Sequence, residues 1–129
     1  MIAVDTSALM AIVFGEAQAD GCMRVLETET EVVISAATAA EALIVGARRN
    51  VGEEVACLID GLGIEIVPVT SASARRVAAA YGRWGRGVHP AGLNFGDCFS
   101  YEVAKHHLCP LLYVGDDFLQ TDLESALAT

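Results

Sequence analysis

The 129-residue chain is 53% hydrophobic and 19% charged, with 17 acidic against 8 basic residues and a net charge of −9. That length predicts one compact domain, residues 1–129, which buries about two thirds of the surface of its unfolded chain. The acidic balance argues against a general binder of phosphate backbones, which would carry a basic stripe. No apolar run approaches the ~18 residues of a membrane span, and MIAVDTSALM lacks the basic start and cleavage site of a signal peptide, so a cytoplasmic protein without membrane contact is expected.

Ile2, Ala3 and Val4 form a short apolar run without alternation, as in a central parallel strand covered on both faces. Asp5 ends it, and Thr6 or Ser7 is available to cap the helix SALMAIVF, which stops at Gly15. A second helix is expected from about Glu16 to Glu29. Val32 to Ile34 read as the next buried strand, and Ser35 caps an alanine-rich helix from about Ala36 to Arg49 whose single acid is Glu41. A carboxylate on so apolar a helix requires water, a cation or a hydrogen-bond donor. Gly52 to Leu62 is a further helix, and Ile64 to Val69 a strand that Pro68 directs to an edge. Ser71 then caps a long helix that Gly82 is expected to interrupt and Gly85 and Gly87 to end.

The glycine-rich stretch GRGVHPAG leads to LNFGDCFSYEVA, the segment around which the chain is organised. Asn94 is suited to capping, and helical spacing from Phe95 onward sets Asp97 in a first turn, where backbone N–H groups point outward. Pro110 to Val114 form another short strand, followed by Gly115, Asp116 and Asp117, and Phe118 with TDLESAL closes the chain as a short strand or helix. Four or five buried strands alternating with helices define an α/β domain, with a mainly parallel central sheet flanked by helices on both faces.

Four acids recur at equivalent places. Asp5, Glu41, Asp97 and Asp116 or Asp117 each follow a strand or lie on the helix after it, where open α/β sheets collect their ligands. Asp116 is favoured as the fourth because it comes first after its strand. Carboxylates gathered in one crevice repel by ~4 kcal/mol per pair at 4 Å, so protons or divalent cations must offset them. An all-oxygen set suits Mg²⁺ or Mn²⁺, and such a site can direct water at a phosphodiester.

The motifs VDTSAL, LNFGDCFSYEVAK and PLLYVGDDFLQTDL, with an acid on the helix after the second strand, resemble those of the PIN-domain ribonucleases, specifically the VapC toxins of VapBC toxin–antitoxin modules. The resemblance spans essentially the whole chain and implies a PIN fold. It further implies Mg²⁺- or Mn²⁺-dependent endoribonuclease activity on an RNA substrate and neutralisation by a cognate VapB-like antitoxin. Homodimers, heterotetramers or larger assemblies with that antitoxin, and DNA contact only through it, are part of the same implication. By position Asp5 and Asp97 match the principal metal ligands and Glu41 the third acid. Thr6 or Ser7 matches a small hydroxyl beside the first acid, and Asn94 supports the Asp97 loop.

Six of the eight bases are arginines in three pairs, Arg48 with Arg49, Arg75 with Arg76, and Arg83 with Arg86. The last pair, with Trp84, lies nearest the glycine-rich loop and is expected to contact RNA phosphates while Trp84 stacks a base. Cys22, Cys57, Cys98 and Cys109 show no CxxC pair and are expected reduced and buried. His106, His107 and Cys109 lack the second ligand pair of a structural zinc site. Two other readings compete. A phosphohydrolase with Asp5 as nucleophile would resemble the haloacid dehalogenases, but these carry a second Asp where Ser7 stands. A non-catalytic PIN-like binding module has no chemical need for four carboxylates.

Overall fold

β1 (Ile2–Val4) is buried along its whole length because both faces of the sheet are covered. The structure is a computed structural model and describes residues 1–127. The elements that follow are α1 (Thr6–Val13), α2 (Ala19–Thr28), β2 (Val32–Ser35), α3 (Ala36–Arg48), α4 (Gly52–Gly61), β3 (Glu65–Val67), α5 (Ser71–Trp84), α6 (Phe95–His106) and β4 (Leu111–Leu112). The four strands form one parallel sheet in the order β3-β2-β1-β4. Ala3 is the hub of the register, paired with Val33 on one side and Leu111 on the other.

Alternate strand residues divide the core in two. Ile2, Val4, Ile34 and Leu112 face α1, α2 and α4 through Leu9, Leu26, Val55 and Ile59. Ala3, Val33 and Leu111 face the opposite way, onto Val77 and Trp84 of α5 and Phe99 and Val103 of α6. The expected three-layer α/β arrangement is therefore present. Because α5 and α6 cover one face while the helices after β1 cover the other, strand order reverses between β1 and β4. A crevice opens at that point, beyond the carboxyl ends of the two strands. No described helix is long and apolar enough to cross a membrane.

Several local expectations need correction. Gly82 does not interrupt α5, which runs unbroken to Trp84. Val77, Ala80 and Trp84 all bury on one face of it, and that burial outweighs the ~1 kcal/mol cost of a helical glycine. Gly85 does end the helix, since a Cβ there would run into the carbonyl oxygen of Tyr81. Thr70, not Ser71, caps α5 in a reciprocal capping box with Ser73. β3 is only three residues long, and Pro68 lies outside it, although the strand is at the sheet edge as Pro68 implied. The closing segment makes a single parallel bridge, Ser125 to Leu111, rather than a strand or helix. Cys22 and Cys98 are buried, but Cys57 is exposed on α4 and Cys109 only partly covered.

Candidate active site

Asp5 leaves β1 with its backbone N–H bonded to the Leu112 carbonyl (3.0 Å), at the seam between β1 and β4. It caps α1 itself, in place of Thr6 or Ser7: its Oδ2 accepts from the Ser7 backbone N–H at 3.1 Å and from the Ser7 hydroxyl at 2.7 Å. The Ser7 oxygen in turn accepts from the Val114 N–H at 3.0 Å, which ties the exit of β4 to the first acid. The other Asp5 oxygen, Oδ1, accepts from the hydroxyl of Ser100, one turn beyond Asp97 on α6, at 2.5 Å.

Glu41 projects from α3, and its Oε1 accepts from the Thr6 hydroxyl at 2.7 Å. Its carboxylate lies against the N-terminus of α6, where a Cβ on Gly96 would come within 2.7 Å of Oε2. Gly96 thus makes room for the acid. Its replacement by Ala is expected to fold at least as well, since Ala is the better helix former, while displacing Glu41. Activity at the site should fall about 10- to 100-fold at unchanged thermal stability, as parallel melting and activity assays would show.

Asp97 occupies the third position of α6 in a capping box with Asn94: its backbone N–H donates to Asn94 Oδ1 (2.8 Å), and its Oδ2 accepts from the Asn94 N–H (3.1 Å). Burial pushes the Asp97 carboxyl up to about 6, against the pull of that N–H, and the charges of Asp5, Asp117 and Glu41 add to the rise. Asp97 thus feels the charge of three acids from three other segments. Of the two acids of the β4 loop, both exposed, Asp117 is the one whose charge is felt at Asp97. Gly115, at φ +97°, turns the loop, and the burial of Phe118 beside Asp117 anchors it. The neighbouring Cys98 thiol is pushed up to about 11 by burial and by Asp97, so it stays a thiol and a packing group.

Arg86 lies in an apolar groove of about 780 Å³ that Asn94, Phe95 and Cys98 also line. Arg83 stacks on Trp84, with 4.5 Å from its guanidinium carbon to the ring centroid, and approaches Asp122 at 3.7 Å. Trp84 does not stack a base. It is buried, and its Nε1–H donates to Tyr101 Oη, which donates to Asp122. Sequence reasoning also passed over Thr38 and Ser100, two buried hydroxyls whose oxygens lie 3.2 Å apart behind Asp5.

The profile of the PIN domain matches residues 2–124, across all four acids. The chain belongs to the PIN-domain family. Within it the relatives are VapC ribonucleases: ribonuclease VapC42 of Mycobacterium tuberculosis is 41% identical over 127 residues, covering 95% of this chain and 97% of its own. Among solved structures, Mycobacterium tuberculosis VapC20, described as a sarcin-ricin loop cleaving toxin, superposes with a TM-score of 0.80 at 17% identity over 99% of this chain and 100% of that one. A toxin–antitoxin complex from Klebsiella pneumoniae superposes with a TM-score of 0.73, also at 17% identity, over 100% of this chain and 97% of that one. At such identities the likeness is one of fold, and it agrees with the parallel sheet flanked by helices.

Whether these side chains suit a divalent cation is a matter of donor chemistry. All the acids are hard oxygen donors, and the Asp97 carboxyl is raised first by burial and further by the charges of Asp5, Asp117 and Glu41. Among the described residues no group of three His, Cys, Asp or Glu side chains is placed to hold a metal ion; a Mg²⁺ held by one or two carboxylates and several waters does not require one.

Proposed function

We infer that this PIN domain is a VapC-type endoribonuclease toxin that cuts RNA with the help of Mg²⁺ or Mn²⁺ and is neutralised by an antitoxin. The observation that carries the reading is that Asp5 and Glu41 border the first turns of α6, through Ser100 and Gly96, beside Asp97, joined to 41% identity with a named VapC ribonuclease. Asp5 and Asp97 would hold the cation, with Glu41 and Asp117 completing the negative crevice. What a divalent cation supplies there, when bound, is positive charge at the scissile phosphate and acidification of the attacking water. The chain's part is orientation. Thr6 fixes Oε1 of Glu41 and leaves Oε2, which has no hydrogen bond among the described residues, to receive a proton from water. Asn94 holds Asp97 at the start of α6, so its carboxylate stays in the crevice whether or not RNA is present.

An antitoxin partner and self-association belong to the same reading. Relatives of this fold are found in toxin–antitoxin complexes, and the groove between α5 and α6 exposes apolar side chains beside the acids, with Phe95 73% exposed and Tyr81 and Val69 near it. Patches of that kind mark protein contacts. Arg86, at the same groove, and the exposed Arg83 are the arginines proposed to contact RNA.

The test is incubation of antitoxin-free protein with total RNA in Mg²⁺, Mn²⁺ or EDTA. Discrete fragments that require the cation are expected. Folded protein that leaves every RNA intact in Mg²⁺ and Mn²⁺ would favour a binding module instead.

A further inference from the structure

We propose that Ser100, backed by Thr38, is the positioning residue that aims Oδ1 of Asp5 into the crevice, so that α6 both carries one acid and orients another. This rests on the reading of the site as divalent-dependent. The argument is one of lone pairs and protons. A carboxylate oxygen accepts about two hydrogen bonds, and Oδ2 of Asp5 already receives two, from the Ser7 N–H and the Ser7 hydroxyl. Oδ1 receives one, from Ser100. It is therefore the oxygen with an acceptor site to spare, and the direction of that site is set by where Ser100 holds the carboxylate.

Ser100 has a single hydroxyl proton, and it is committed to Asp5 at 2.5 Å. In its contact with Thr38, at 3.2 Å, the Ser100 oxygen must accept and Thr38 must donate. The chain of donors thus runs one way, from Thr38 to Ser100 to Asp5, and successive hydrogen bonds of this kind polarise one another. Ser100 is fully buried and Thr38 nearly so, so water does not compete for either hydroxyl. Thr38 lies one turn before Glu41 on α3, and Ser100 one turn after Asp97 on α6. The same pair of hydroxyls therefore fixes the spacing of the two helices that deliver Glu41 and Asp97. None of this is N-capping, since Ser100 and Thr38 both lie inside their helices.

The test measures Mn²⁺ binding to RNA-free protein by electron paramagnetic resonance, a readout independent of cleavage, for wild type, Ser100→Ala, Ser100→Thr and Thr38→Val. The expected result is 10- to 100-fold weaker Mn²⁺ binding in Ser100→Ala, recovery to within about threefold in Ser100→Thr, which keeps the hydroxyl, and an intermediate loss in Thr38→Val. Melting curves taken alongside confirm that each variant is folded at the assay temperature. Wild-type affinity in a folded Ser100→Ala protein overturns the proposal. If Ser100→Ala does not fold, Thr38→Val decides, because it leaves Ser100 in place and removes only the donor behind it; unchanged affinity there overturns the proposal equally. A wild-type protein that binds no Mn²⁺ and cuts no RNA overturns the divalent-dependent reading itself, an outcome distinct from wild type and variant binding alike.

Discussion

Replacing Asp97 by Asn is expected to abolish RNA cleavage while making the metal-free protein more stable. The amide keeps an oxygen that accepts from the Asn94 N–H, so the capping box of α6 survives. What disappears is a charge that burial and three neighbouring acids oppose. The loss of activity should exceed the roughly 10- to 100-fold typical of removing a mere partner of a ligand. The stability change has a definite sign. The Asp97 carboxyl lies at about 6, above its ordinary value of 3.8, so the folded state holds the proton more tightly than the unfolded state. Wild-type stability therefore falls as pH rises from about 4 to 6, and the Asp97→Asn substitution removes that fall. With the part-exposed carboxyl screened by solvent, the gain should be about 1 kcal/mol above pH 6.5 and vanish near pH 4. Urea titrations of both proteins at pH 4 and pH 7.5 measure it. Added Mg²⁺ should reverse the order at pH 7.5 by stabilising only the wild type. Equal stability of the two proteins at both pH values would mean that neither burial nor the other acids raise the Asp97 carboxyl.

Truncating Phe118 to Ala should cost about 3–5 kcal/mol, the range for a large buried aromatic. The ring is 1% exposed and packs at 5.1 Å between centroids on Tyr113, below the β4 end of the sheet. Its carbonyl also accepts from the Thr121 N–H (3.1 Å) and hydroxyl (2.7 Å), so the turn that follows is built on it. A midpoint lowered by about 10 °C or more is expected in thermal melts. Asp117 is the next residue toward the site, and release of its loop should lower cleavage even at temperatures where the variant is folded. Phe118→Leu, which refills most of the space, should recover the greater part of both losses. A cost below about 1 kcal/mol, well under that range, would show that the loop is anchored elsewhere.

Both expectations turn on residues whose roles were legible to different degrees. Asp5 and Asp97 could be read from the chain alone, because a strand's carboxyl end and a helix's first turn are local features that Val4, Asn94 and Gly96 announce within a few residues. Glu41 was marked by contrast, a lone acid among alanines, and its partner Thr6 came from thirty-five residues away. The parallel order of the strands likewise followed from short apolar runs separated by helices, a pattern that sequence carries directly.

What the tertiary structure decided was everything that depends on which way a side chain turns once distant segments meet. Asp116 and Asp117 are indistinguishable as letters. Only in the folded loop do they differ, where the charge of Asp117 is felt at Asp97. Gly82 reads as a break until the shared buried face of Val77, Ala80 and Trp84 carries the helix through it. Trp84 looks like a base-stacking residue until its own burial and its hydrogen bond to Tyr101 of α6 take its ring out of reach. Ser100 and Thr38 carry no local signal, because a small hydroxyl inside an apolar helix looks the same whether it faces solvent, core or a carboxylate. Their hydrogen bonds close over 62 and 95 residues of chain. Local propensity fixes the elements here, but the geometry of the acids is set by contacts whose partners come together only when α1, α3 and α6 pack at the carboxyl end of the sheet.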